Sequence, residues 1–114
     1  MSFHFVLKRS GWGYDDLYEA IKKGEKTSEW RDASDHWISR LLNERGRSHL
    51  ETFKSSYESL EVLDFLPYHL KHTRTRFVVG YTKSPMLVAD VTGILYHRDT
   101  DQFQIQIKNV VEVK

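Results

Sequence analysis

The chain has 114 residues and no cysteine. Disulfides and thiolate metal sites are therefore excluded, and a reducing cytosol is the simplest home. No stretch approaches the ~20 consecutive apolar residues that a membrane-spanning helix needs. Met1 to Val6 carries neither a basic n-region nor a long apolar run, so a cytoplasmic chain with no membrane partner is expected. Recognisable catalytic signatures are missing too: there is no Ser-His-Asp order, phosphate loop or dinucleotide fingerprint. His69 and His72 stand three apart, yet no carboxylate or third histidine follows at metal-site spacing. Neither a metal nor a cofactor is expected. One absence is local. Between Phe65 and Ala89 there is no Asp or Glu, while Lys71, Arg74, Arg76 and Lys83 all lie there. With a net charge of +1 overall, this fits a protein that meets an anion at one place rather than one that coats nucleic acid.

What remains is ordinary globular material: hydrophobic residues are 39% and charged residues 29%, enough for one domain spanning 1–114. Aromatics are enriched at 13%, with three tryptophans. Phe3 to Arg9 alternates as a first strand. Tyr14 to Lys23 carries the helical stripe Tyr14, Leu17, Tyr18 and Ile21, with acids in the first turn and lysines in the last. Gly24 is the natural residue for a positive-φ helix stop. A strand over Thr27 to Asp32 follows. Ser34 is read as the N-cap of a second helix with face Trp37, Ile38, Leu41 and Leu42, ending over Asn43 to Arg47 around Gly46. Ser48 and Glu51 form a capping box for a third, with Leu50, Phe53 and Tyr57 buried.

Val62 to Tyr68 is ambiguous, and Pro67 argues against a central strand there. The rest reads as β. Thr75, Phe77, Val79 and Tyr81 alternate on one strand, and Tyr81 to Met86 is a loop. Leu87 to His97 follows with Gly93 as a bulge or a barrel bend, and Asp99 to Asp101 as a turn. Gln102 to Lys108 places Phe103, Ile105 and Ile107 inward. About five strands and three helices give an α+β fold, a small mixed barrel.

The segment Gly24-Glu25-Lys26-Thr27-Ser28-Glu29-Trp30-Arg31 carries the densest chemistry. Side chains alternate along a strand, so Glu29 and Arg31 share a face roughly 7 Å apart. Lys26, at the helix-to-strand junction, can turn toward the same face. One acid then stands between two bases. Spacing alone favours a solvated charge cluster. A lysine beside Arg31 and a tryptophan would serve as base or nucleophile, whereas one beside Glu29 serves as an anion clamp. Trp30 has the opposite parity and is expected in the core, as is Trp37 on its helical stripe. Trp12, in a glycine-flanked loop, and Tyr81 are open candidates for base stacking. The basic run from His69 to Arg76 reads equally well as a charged edge strand. Asp90 is either a buried polar group or a residue at a barrel mouth.

Gly24, Lys26, Glu29 and Arg31, with Thr27 in the small hydroxyl position and Leu7-Lys8 closing the preceding strand, resemble the Gly-x-Lys-x-x-Glu-x-Arg signature of the ASCH domain family. The similarity covers residues 3 to 32 well and continues loosely through Phe77 to Tyr81. It implies a PUA-like barrel, mixed or antiparallel, with RNA or a nucleotide-like ligand as partner. The implied cleft is lined by Lys8, Lys26, Thr27, Glu29 and Arg31, with Arg76, Tyr81 and Trp12 approaching it. One branch of the family is implicated in hydrolysing an N-acetylated cytidine, with a lysine at the Lys26 position and a threonine three residues on. Glu29 stands here instead. An enzyme on RNA or a modified nucleoside, with Lys26 as the catalytic base, is the first alternative. A protein-interaction module is the second.

Overall fold

The computed structural model describes residues 3–7, 14–56, 60–79 and 86–113. Its elements are strand β1 (Phe3–Leu7), helix α1 (Tyr14–Lys22), β2 (Ser28–Asp32), α2 (Asp35–Leu41) and α3 (Glu44–Lys54). After them come β3 (Val62–Phe65), a 3-10 turn (Pro67–His69), β4 (Arg74–Val79), β5 (Met86–His97) and β6 (Gln102–Val113). The fold is α+β, with a single mixed sheet. β5 lies at its centre, pairing with β6 along one edge and with both β4 and β3 along the other. β2 extends the sheet beyond β6, antiparallel, and β1 extends it beyond β4, parallel. The terminal strands β1 and β2 are not paired with each other, so the sheet is open among the described residues. The break at Ser10 to Gly13, the loop after Tyr81 and the expected burial of Tyr57 lie outside those residues. Met86, read as loop, already belongs to β5.

One face of the sheet holds the core. Phe77 pairs with Leu87 and Thr75 with Ala89, and all four are essentially without solvent exposure. Further along β5 the inward parity changes from Val91 to Ile94, because the β5–β6 register shifts between Val91 and Gly93. Thr92 is the residue left without a partner at that shift, and Gly93 pairs with Gln106 beside it, so the strand bulges next to the glycine. Ile94 and Tyr96 then meet Ile105 and Phe103. A second shift, between Val88 and Asp90, coincides with the left-handed backbone of Asn109 at φ 56°. It lets Glu112 pair beside Leu87 and receive the Tyr18 hydroxyl at 2.8 Å. Tyr18 and Ile21, one helical turn apart, anchor α1 to this face and are buried.

One helix start follows the cap read from the sequence and one does not. Ser34 Oγ accepts from Trp37 N–H and starts α2. For α3 the Ser48 capping box is a wrong reading: Asn43 is the N-cap, accepting from Gly46 N–H at 2.9 Å, and Gly46 lies inside the first turn. Gly46 is there for space. It is buried, and a Cβ on it would run into the carbonyl oxygen of His69. The segment Val62 to Tyr68 divides at Leu66 into a short strand and the 3-10 turn that Pro67 opens.

Candidate functional site

The Lys26 segment is fixed at both ends. At the end of α1, Gly24 takes φ 78°. Its N–H bonds to Ile21 O, and Glu25 N–H reaches back to Ala20 O at 2.9 Å, the paired bonds of a Schellman stop. Lys26 N–H shares the Ala20 carbonyl at 3.0 Å. The lysine backbone is thereby tied to the helix it leaves. Downstream, Ile107 N–H bonds to Thr27 O, and Gln104 Nε2 donates to Ser28 Oγ, both at 2.9 Å. These contacts pin β2 against β6.

That register sets the parity. Glu29 stands opposite Ile105 and Arg31 opposite Phe103, so both acid and guanidinium point to the core face. Glu29 is buried, with its side chain 8% exposed; Lys26 and Arg31 keep 28% and 22%. Lys26 Nζ lies 3.3 Å from one carboxylate oxygen, and Arg31 Nη1 contacts the other. Arg31 also donates to Trp30 O at 2.8 Å and sits 5.3 Å from the Trp37 ring centroid. The expected order of one acid between two bases is present, with the acid inside and the cations at the rim. Charge-assisted bonds of this kind are short and directional. They leave the trio with one net positive charge and two cationic groups partly open to solvent.

Trp30 does not take the place the sequence suggested. It faces outward and is 41% exposed, its ring 4.8 Å from that of His97. Because strand parity is shared, putting Glu29 inside puts Trp30 outside. Trp37 is half-buried against the core. Thr27 is exposed, contributing its carbonyl to β6. Arg76 belongs to the other face of the sheet. It alternates with the buried Thr75 and Phe77, whose face continues through Leu87, Ile94 and Ile105 to Glu29. Arg76 is therefore not brought to the Lys26 cluster. Arg74 and Asp90 share that outer face, with Arg74 Nε 3.8 Å from the Asp90 carboxylate and Asn109 donating to it at 2.9 Å. Lys8, Trp12 and Tyr81 lie outside the described residues.

A second constellation was not singled out by the sequence. A groove of about 640 Å³ runs between α3 and the β3 to 3-10 turn segment. Its wall includes a parallel pair of imidazoles, His49 and His69, with centroids 4.7 Å apart and planes at 7°. His69 is buried, and its Nδ1 accepts the N–H of Leu66 at 3.1 Å. That bond makes Nδ1 an acceptor and assigns the neutral ring's proton to Nε2. Burial, the facing His49 and the nearby Arg45 lower the His69 pKa from its ordinary value. Arg45 in turn lies 5.3 Å from the exposed Tyr68 ring. The residues are dispersed in sequence on two elements, so no motif spacing announces them.

Among the described residues no three His, Asp or Glu side chains converge as a metal would require, and no helix is long and apolar enough to cross a membrane. Comparisons with protein-family models, with curated proteins and with solved structures return no match for this chain.

Proposed function

We propose that the chain binds single-stranded RNA or a nucleotide-like ligand, taking hold of phosphate through Lys26 and Arg31. We read the domain as a PUA-like member of the ASCH family in which the open sheet is the barrel wall. One observation carries the functional reading: Glu29 is buried while the two cations that contact it stay partly exposed. A carboxylate used in this way orients cations without covering them, and two oriented donors on a partly dry surface suit an anionic oxygen group. The resemblance of Gly24, Lys26, Glu29 and Arg31 to the ASCH signature supports the same site. Arg76, on the opposite face, is no part of this contact.

The test is a titration of the chain with short single-stranded RNAs and with nucleotides at low salt, followed by NMR. Shifts are expected around Lys26 and Arg31. Lys26→Ala or Arg31→Ala should weaken binding by about 1–3 kcal/mol, the range for losing a charge-assisted contact. Lys71→Ala should cost less and mainly flatten the salt dependence. Arg76→Ala should leave affinity unchanged. Absence of shifts near Lys26 at millimolar ligand, or equal binding by the Lys26→Ala protein, removes the nucleic-acid reading.

A further inference from the structure

β3 has an open edge. Arg98 N–H donates to Glu61 O at 2.8 Å, and hydrogen-bonded pairs recur at every second residue of an antiparallel ladder. The bonded pairs on β3 are therefore Leu63 with Tyr96 and Phe65 with Ile94. Val62 and Asp64, between them, direct their N–H and C=O groups away from β5. Among the described residues no other strand pairs with that edge. Natural edges are usually blunted by shortness, charge, bulges, prolines or a covering element. Among the described residues β3 has only the first two, being four residues long with Asp64 on it. It also carries Val62 at 42% exposure, and apolar surface continues beside it through Leu60, Leu66 and Tyr68, all exposed. Asp64, Leu66 and Tyr68 also line the groove against α3, where Glu44 and Arg45 face them.

We propose that this groove is a docking site for an extended peptide that alternates basic and apolar residues and adds to β3 as a further strand. The backbone supplies the affinity of strand addition, and alternate side chains supply the selection. Ligand side chains on the groove side meet Asp64 and Glu44; Arg45, the cation on that wall, is occupied over Tyr68. Charge complementarity therefore favours a cationic partner over an acidic one. Apolar side chains of the same peptide cover Val62 and Leu66. A second copy of the chain fits less well. Its own β3 would bring another α3 and set carboxylates against carboxylates. The proposal is independent of the Lys26 site.

The probe is a synthetic peptide of about seven residues alternating arginine and valine. It is compared with a glutamate–valine version and with an arginine–valine version N-methylated at every second amide. Spectra of the full chain should show shifts at the Val62, Asp64, Leu66 and Tyr68 amides with the first peptide and not with the other two. At saturation, hydrogen exchange at Val62 and Asp64 should slow at least tenfold. Asp64→Asn should weaken binding severalfold. Val62→Pro should abolish it while preserving the remaining spectrum, because the lost N–H points away from β5. The proposal is overturned by an absence of shifts at millimolar peptide, by equal shifts with the glutamate peptide, or by shifts confined to Lys26–Arg31. It is also overturned if the same amides respond to chain concentration without peptide, which assigns the edge to a second copy. A response of those amides to short RNA overturns it as well.

Discussion

Thr75 has no solvent exposure, and its hydroxyl has no hydrogen-bond partner among the described residues. A buried hydroxyl without a partner costs about 1–3 kcal/mol relative to one that is satisfied. Valine has the same shape and suits a strand. Thr75→Val is therefore expected to raise stability by about 1 kcal/mol, read as a higher urea midpoint at unchanged slope. A lower midpoint would mean that the hydroxyl is satisfied in solution. Glu29 shows the opposite bargain, since its burial is supported by contacts to Lys26 and Arg31. This is also where reading the sequence residue by residue fell short. The shared face of Glu29 and Arg31 was legible from strand alternation. Which face turned inward was not, because hydrophobicity pointed to Trp30 while the available cations made the carboxylate the better interior group.

The junction between α2, α3 and the 3-10 turn depends on a few backbone contacts. Asn43 N–H bonds to His69 O at 3.0 Å, and its side chain donates to Tyr68 O at 2.7 Å. Gly46 packs against the same His69 carbonyl. Alanine at Gly46 gains up to about 1 kcal/mol of helix propensity, but forcing a methyl against fixed backbone costs about 1–3 kcal/mol. Gly46→Ala is thus expected to destabilise the protein, with amide exchange accelerating first at Asn43 and Leu70. An increase in stability would show that the turn yields easily. α1, its glycine stop, the Ser34 cap and the alternation of β6 were readable locally because local chemistry decides them. Gly46 and the Ser48-to-Glu51 spacing misled for the converse reason. Glycine here answers a steric demand from residues far away in sequence, which mimics a helix stop.

At the scale of the molecule, stability should form a plateau in pH. His69 and His72 are both lowered from their ordinary pKa, chiefly by burial. The folded state then holds fewer protons than the unfolded one. Their contribution is complete above about pH 6.5 and is lost as pH falls below that value. Protonation at His69 Nδ1 would also set two donors against each other at Leu66 N–H. Tyr18 and Tyr96 are raised by burial and by donating to Glu112 and Asp101. Their contribution is complete below about pH 10 and disappears as pH rises above it. Melting temperatures measured by circular dichroism should hold between those limits and fall on both sides, and Tyr18→Phe should flatten the alkaline fall. A melting temperature still rising from pH 6.5 down to pH 5 would contradict the histidine assignment. The α+β class was legible because the strands near Phe77, Val88 and Phe103 alternate strongly. That the sheet is open among the described residues was not, since closure depends on whether β1 and β2 meet, and no periodicity encodes that.

The pairing of β2 with β6 has a consequence for how the chain comes into being. Ser28 and Gln104, which clasp across these strands, stand 76 positions apart. During synthesis Lys26, Glu29 and Arg31 emerge early, but nothing yet exists to tell Glu29 which way to turn. β4 supplies the partner of β1, β6 pairs with β5 across a short turn, and β2 pairs with the far edge of β6. A nascent chain stopped before Gln102 would contain the whole of the candidate phosphate clamp in its sequence but lack the strand against which Glu29 and Arg31 are set.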